Sequence, residues 1–210
     1  ANEWALLRVF MQVPLAGRKF PNATNRSLRV WRRDPQTLPS NARPMKINLG
    51  CGRKYLEGYV NCDVVPSVRA DRHFNLNTFP YPFENDSADE IFMDNVLEHL
   101  DEPLKIVEEC HRILKKGGLL KIIVPYAKTD WALQDPTHKH FFTERSMDYF
   151  RPDFPYNFYT QARFNVREAR LYGDNTTWLH RLRNALPFKG VLRYFLYNIF
   201  DGIVFDLEKI

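Results

Sequence analysis

The chain has 210 residues, 44% of them hydrophobic and 14% aromatic, which suits one globular domain with a core of its own. Fourteen prolines against nine glycines exclude a low-complexity chain, and no apolar run approaches the roughly 18 residues of a membrane-spanning helix. A formal net charge of +5 is compatible with an anionic partner, but the arginine clusters read as solvated faces and no nucleic-acid-binding module is recognisable.

The first residue is Ala1 and not Met, which suggests a domain cut from a longer protein. Residues 1–44 read as an N-terminal helical and linker extension packed on the core: Trp4–Val13 as one amphipathic helix, then an arginine- and proline-rich passage. The core domain is expected over 45–210. Its first strand, about 45–49, runs into Gly50-Cys51-Gly52, a turn where bare backbone allows positive φ and lets a ligand touch the main chain. Only Arg53–Gly58 separates this turn from a second strand, Tyr59–Asp63, too few residues for the usual crossover helix. Asp71–Leu76 suits a third strand, Phe79–Phe83 is too proline-rich for regular structure, and Asp89–Asp94 is a fourth strand. A helix follows, with Pro103 at its first position, apolar residues at helical spacing, and Gly117-Gly118 as its C-cap. Leu119–Val124 is a fifth strand. Arg163–Leu171 is a sixth, Trp178–Phe200 is helical in pieces, and Ile203–Glu208 closes the sheet. The fold class is therefore α/β: a Rossmann-like, mostly parallel seven-stranded sheet with an antiparallel last strand, helices on both faces and a shortened first helix.

Cys51, Cys62 and Cys110 lie in apolar runs with neither disulfide-framework nor zinc-knuckle spacing, and read as small buried hydrophobes in a reducing, cytoplasmic compartment. A dinucleotide fingerprint would need a third glycine where Tyr55 stands, and a helix N-terminus for a pyrophosphate. A phosphate-free ligand with a ribose fits better, and Asp63 ends the second strand where a ribose diol needs acceptors.

The runs I-N-L-G-C-G, G-Y-V-N-C-D, F-P-Y-P-F-E-N-D-S-A-D-E-I, N-V-L-E-H-L and E-C-H-R-I-L-K-K-G-G-L-L-K-I-I-V-P, in this order, resemble a class I S-adenosylmethionine-dependent methyltransferase. They resemble most the small branch found beside polysaccharide- and glycan-biosynthesis enzymes. The resemblance implies S-adenosylmethionine as cofactor. Asn48, Leu49, Gly50, Cys51 and Gly52 would lie against its methionine part, Asp63 would take the ribose hydroxyls, and Asn75 with Leu76 would flank the adenine. Asp94 and Asn95 would stand beside the reactive end, with Glu98 and His99 in the next helical turn.

Residues 127–161 break the strand–helix rhythm and read as a lid on the acceptor side. Asp135, His138 and His140 are the candidate catalytic residues, one histidine as base and Asp135 orienting it or gripping a second hydroxyl. If 137–142 is extended, the two histidines face the same side. A rival reading has Asp135 and the histidines hold a divalent metal, but no fixed ligand spacing supports it and no metal ligand is assigned. Met147 and Phe150 are expected in the core, on a short helix capped by Thr143, while the other lid rings offer a platform for a sugar face. The expected reaction is O-methylation of a glycan hydroxyl, such as one on a terminal rhamnose, by a domain working with glycosyltransferases. Methylation of RNA, protein or a metabolite is the first alternative, and an inactive cofactor-binding module in a glycan-assembly protein the second.

Overall fold

The computed structural model describes residues 44–210. The helix expected over Trp4–Val13 and the passage that follows it lie outside these residues. Seven strands form one sheet: β1 (Lys46–Leu49), β2 (Val60–Asp63), β3 (Arg72–His73), β4 (Ala88–Asp94), β5 (Leu114–Pro125), β6 (Phe164–Tyr172) and β7 (Gly202–Lys209), in the order β3-β2-β1-β4-β5-β7-β6. β1 to β5 pair in parallel, and β7 is antiparallel to both β5 and β6. The carboxyl ends of β1, β2, β4 and β5 therefore share one edge, the edge at which open α/β sheets bind ligands. This is the expected fold, including the missing first helix: the crossover from β1 to β2 is made of turns alone.

Alternation decides which side chains enter the core. Ile47, Leu49, Ile91, Met93, Leu120, Ile122, Val124, Ile203, Phe205 and Leu207 point to one face. There they meet Ile106, Cys110 and Ile113 of helix α1 (Pro103–Ile113). The other face has a small apolar cluster, Phe92, Ile123 and Val204 with Leu56, Tyr59 and Tyr172, beside the ion pairs Lys46–Glu90 at 2.8 Å and Lys121–Asp206 at 3.6 Å. The three cysteines are free and buried. Among the described residues, no helix is long and apolar enough to cross a membrane.

Three expectations shift. β3 is only Arg72–His73, and Leu76 leaves the strand for a turn that buries its side chain in the core. α1 ends at Ile113 rather than at Gly117-Gly118, because Leu114 is already extended, fully buried and paired with Ala88 of β4. The next pair in register is Glu90 with Leu119, so Lys115–Gly118 forms a bulge, and the positive φ of Gly117 (71°) serves that bulge instead of a helix cap. Thr143 does not cap the short 3-10 turn Ser146–Phe150; its N–H donates to Ser146 Oγ at 2.9 Å. Met147 and Phe150 of that turn are buried, as expected.

The F-P-Y-P-F strap packs on α1. Glu109 accepts the Tyr81 N–H at 2.6 Å, and the Arg112 guanidinium reaches Glu109 Oε1 (2.6 Å) and Oε2 (2.9 Å) and the Phe83 carbonyl (2.9 Å). Beside Arg112, His111 meets the edge of Phe164 at 5.1 Å, and burial, with Lys209 nearby, pushes its pKa down to about 4. The unfolded chain thus binds a proton near pH 6.5 that the folded protein refuses until about pH 4. Stability should fall as pH drops through this window, by about 1–2 kcal/mol after allowance for partial exposure. Urea titrations at pH 7 and pH 4.5 should show that loss shrinking in His111→Gln, and an unchanged pH slope in the variant would contradict the assignment.

Candidate active site

The site begins where β1 stops. Gly50 and Gly52 both have positive φ, 67° and 49°. A Cβ on Gly50 would stand 2.5 Å from Val96 Cγ2, so the glycine is required by contact as well as by conformation. Gly52 has open space where a Cβ would be. Asp63 ends β2 and is buried, and its carboxylate closes the turn from the far side. Its Oδ2 accepts the Gly52 N–H at 2.7 Å and its Oδ1 the Val65 N–H at 2.9 Å. Each oxygen retains a lone pair for a further donor.

In place of the first helix, a pair of buried asparagines holds the crossover. Asn48 Nδ2 donates to Asn61 Oδ1 and to the Lys54 carbonyl, both at 2.9 Å. Asn61 in turn binds Leu56 through both its N–H (2.9 Å) and its carbonyl (3.0 Å). Asn48 is thus committed to scaffolding. Leu49 is wholly in the core, so only its main chain can meet a ligand. Cys51 is buried, and burial together with Asp63 pushes its thiol up to about 11, which keeps it protonated and unreactive.

Asp94 and Asn95 end β4 beside the turn. Lys54 reaches across from the crossover to Asp94 Oδ2 at 2.6 Å, with its ammonium 4.8 Å from the Phe92 ring centre. Asn95 takes a left-handed conformation (φ 54°) and its Nδ2 donates to Asp94 Oδ1 at 2.9 Å. Asn75 Oδ1 is taken by the Asn77 N–H at 2.9 Å, and the Leu76 carbonyl by the Tyr81 hydroxyl at 2.7 Å.

Past Val96 the chain makes the 3-10 turn Leu97–His99. Glu98 there is 1% exposed, and neither carboxylate oxygen has a hydrogen-bond partner. Burial, with the charges of Asp94 and Asp135, pushes its pKa up to about 8. Its main chain anchors the lid, since the Glu98 carbonyl accepts the N–H groups of Lys139 (2.7 Å) and His140 (3.2 Å).

The lid brings His138 and Asp135 toward Glu98. Thr129 caps helix α2 (Asp130–Leu133), and the Ala132 carbonyl of that helix takes His138 Nδ1 at 2.9 Å. His138 Nε2 then stands 4.0 Å from Glu98 Oε1 and 3.9 Å from Asp135 Oδ2. The His138 ring lies edge-on to that of His99 at 4.7 Å, and His99 Nδ1 is 2.9 Å from Thr137 Oγ1. Thr137 Oγ1 donates to Asp135 Oδ1 at 2.6 Å. Burial and the neighbouring His138 hold the His99 pKa below its usual value. Burial alone would raise the Asp135 carboxyl, but the Thr137 hydroxyl and N–H hold it below the carboxylate range.

The sequence-derived candidates therefore separate. Asp135 and His138 come together, joined by His99, which was grouped with the cofactor. His140 turns to another partner, with its Nε2 3.2 Å from the Asp101 carbonyl. Glu98 was visible only as part of a motif, although a glutamate between Leu97 and Leu100 at a strand end is a signal for a buried acid. Lys54 carried no local signal, because its partner Asp94 ends another strand, and Asn61 none, because its partners are backbone groups of the crossover and the side chain of Asn48. Of the lid rings, exposed Phe141 follows the histidines directly. The row from Tyr149 to Tyr159 leads away: Phe150 packs on Phe164 at the start of β6, and Tyr159 shares a hollow with His111 and Arg112 at the end of α1.

Residues 49–122 match the protein family described as a methyltransferase domain. Solved structures share the fold. An S-adenosylmethionine-dependent methyltransferase from Archaeoglobus fulgidus aligns at 15% identity with a TM-score of 0.53, over 79% of this chain and 86% of that one. Another from Mesorhizobium loti aligns at 11% identity and a TM-score of 0.53, over 82% and 94%. Geranyl diphosphate C-methyltransferase from Streptomyces coelicolor A3(2), solved with Mg2+, geranyl diphosphate and S-adenosyl-L-homocysteine, aligns at 13% identity and a TM-score of 0.54, over 80% and 71%. The family match covers about a third of the chain, and the solved structures show that the fold is shared. No curated protein matches the chain. The matched segment runs from the glycine turn to the middle of β5 and includes Asp63, Asp94 and Glu98. It ends before Asp135 and His138.

Proposed function

We propose that the protein transfers the methyl group of S-adenosylmethionine to a hydroxyl oxygen of a glycan, with a terminal deoxyhexose such as rhamnose as the expected acceptor. The observation that carries the reading is the convergence of Asp135, His138, His99 and Glu98 at the ends of β4 and β5, beside the glycine turn. Gly50–Gly52 presents backbone to the methionine part of the cofactor, and Asp63 takes the ribose. Lys54 and Asp94 offer one charge of each sign for the donor's carboxylate and ammonium groups.

His138 is the better placed of the two lid histidines. A carbonyl oxygen only accepts, so the contact with Ala132 puts the proton on Nδ1 and leaves a lone pair on Nε2. The His140 contact puts the proton on its Nε2 instead. In the reaction the acceptor oxygen attacks the methyl carbon in line with the C–S bond. That bond breaks, its electron pair stays on sulfur to give S-adenosylhomocysteine, and the hydroxyl proton passes to His138 Nε2. Alignment of oxygen and methyl supplies much of the rate, and the base supplies about 10²–10⁴-fold. Exposed Phe141 supplies a ring for the apolar face of a sugar.

The test is transfer of labelled methyl from S-adenosylmethionine to a panel of rhamnose-terminated glycans, RNA, protein and small metabolites, with product release by acid hydrolysis and mass analysis. Label in an O-methyl sugar is the expected result. Label only in RNA, protein or a carbon-methylated metabolite would overturn the acceptor assignment while leaving the donor assignment intact. Cofactor binding with no turnover on any acceptor would identify an inactive module.

A further inference from the structure

The Glu98 carboxylate is buried at the end of β4, and both its oxygens lack a hydrogen-bond partner. A carboxylate taken out of water is strongly destabilising unless a proton, a donor or a cation compensates it. No donor does so here. The groups around it are the imidazole of His99 from its own turn and, from the lid, the His138 imidazole and the Asp135 carboxylate.

We propose that Glu98, His99 and His138 bind a divalent first-row transition ion, with Asp135 beside it. One ligand atom from each of the three residues lies within 4.8 Å of the others. Ligand atoms around one ion at metal–ligand distances near 2.1 Å stand about 3 Å apart, so side-chain rotations of about an ångström close the site.

The hydrogen bonds outside the cluster have already fixed both imidazoles for this purpose. His138 Nδ1 donates to the Ala132 carbonyl, which leaves the Nε2 lone pair facing Glu98 and Asp135. His99 Nδ1 lies against Thr137 Oγ1, whose own proton is committed to Asp135, so Nδ1 is the donor and His99 Nε2 has the free pair. A carbonyl or a carboxylate-linked hydroxyl behind the far ring nitrogen is the usual second support of a metal-bound histidine. Two imidazoles and one carboxylate favour zinc, manganese, iron(II) or cobalt over magnesium and calcium, and leave open positions for oxygen ligands. Asp135 Oδ2, 3.9 Å from His138 Nε2, is near enough to hold a coordinated water.

This inference rests on the reading of the cluster as the acceptor side, and it changes the part His138 plays there. With an ion in place Nε2 would be a ligand rather than the base, and the ion would supply the Lewis acidity that lowers the pKa of an acceptor hydroxyl.

The experiment uses tag-free protein stripped with chelator and titrated with Co2+ alone, followed by visible absorption and by the shift in Tm. The expected result is one equivalent bound, with ligand-field bands between about 500 and 650 nm and a raised Tm. Glu98→Gln and His138→Ala should each weaken binding at least 10-fold, whereas His140→Ala should leave it unchanged. S-adenosylmethionine binding, measured alongside, reports whether each variant is folded. Absence of binding at millimolar Co2+ and Zn2+, or equal binding by folded Glu98→Gln, overturns the site. A carboxylic-acid C=O band in the infrared that disappears in Glu98→Gln would then identify a proton as the occupant. Because none of these readouts involves methyl transfer, an ion that binds while no glycan is methylated sustains the site and overturns the acceptor. Methylation that persists in chelator, with no ion bound, does the reverse.

Discussion

Gly50→Ala should lower stability by about 3 kcal/mol and weaken S-adenosylmethionine binding at least 10-fold. Two costs combine. At φ 67° any residue with a Cβ sits in the left-handed region, at a cost of order 1 kcal/mol or more. The added Cβ would also stand 2.5 Å and 2.8 Å from the two γ-carbons of Val96, a branched side chain with few alternative rotamers. Relief requires moving the Val96 backbone, and Val96 leads into the Glu98–His99 turn. The damage should therefore reach both the donor and the acceptor sides. Gly52→Ala provides the control, with positive φ and no steric neighbour, and should cost only about 1 kcal/mol. Val96→Ala introduced into Gly50→Ala should recover part of the loss, because the γ-carbons are what the new Cβ meets. Urea unfolding of wild type, Gly50→Ala, Val96→Ala, the double variant and the Gly52→Ala control, with calorimetric titration of the cofactor, measures the cycle. Equal effects of the two glycine substitutions would contradict the contact argument.

His138→Ala should reduce methyl transfer by at least 100-fold while cofactor affinity changes by less than about 3-fold. The size follows from the position of Nε2, which faces two carboxylates because Nδ1 donates to the Ala132 carbonyl. Whether Nε2 takes the acceptor's proton or ligates an ion that acidifies it, the alanine removes the function. His140→Ala should cost less than 10-fold, because its ring turns to the Asp101 carbonyl. Single-turnover assays at saturating cofactor separate the chemical step from binding. A large loss in His140→Ala with little loss in His138→Ala would reverse the assignment.

The sheet was legible because its strands are short apolar beats with period-two burial, and because the number of residues between Gly52 and Tyr59 leaves no room for a helix. The end of α1 was misread for a physical reason. Two lysines and two glycines are a good helix C-terminus by local preference, but Leu114 gains more by pairing with Ala88 and entering the core. β3 was overestimated because a turn that follows the strand buries Leu76 and partly buries Phe74. Within the site, Gly50, Asp63 and Asp94 could be placed from the end of each strand. Asn48 could be placed but not understood, since its partner Asn61 lies on the neighbouring strand. Residues 127–161 were the least legible. His138 and His140 are two residues apart in sequence, and only the folded chain turns one to Ala132, Glu98 and Asp135 and the other to the Asp101 carbonyl. Glu98 gains its significance from burial, which depends on how the lid folds back through the pairing of Tyr126 with Phe142. Of the aromatic row after Tyr149, Phe150 is in the core as expected, and exposed Tyr159 lines a hollow with His111 and Arg112 at the end of α1.

The most direct measurement is calorimetric titration of the purified protein with S-adenosylmethionine and S-adenosylhomocysteine, repeated with Asp63→Ala. The account predicts one molecule bound per chain with micromolar affinity, about −8 kcal/mol, and a loss of at least 10-fold in Asp63→Ala. Absence of binding at millimolar ligand by folded wild-type protein would contradict it.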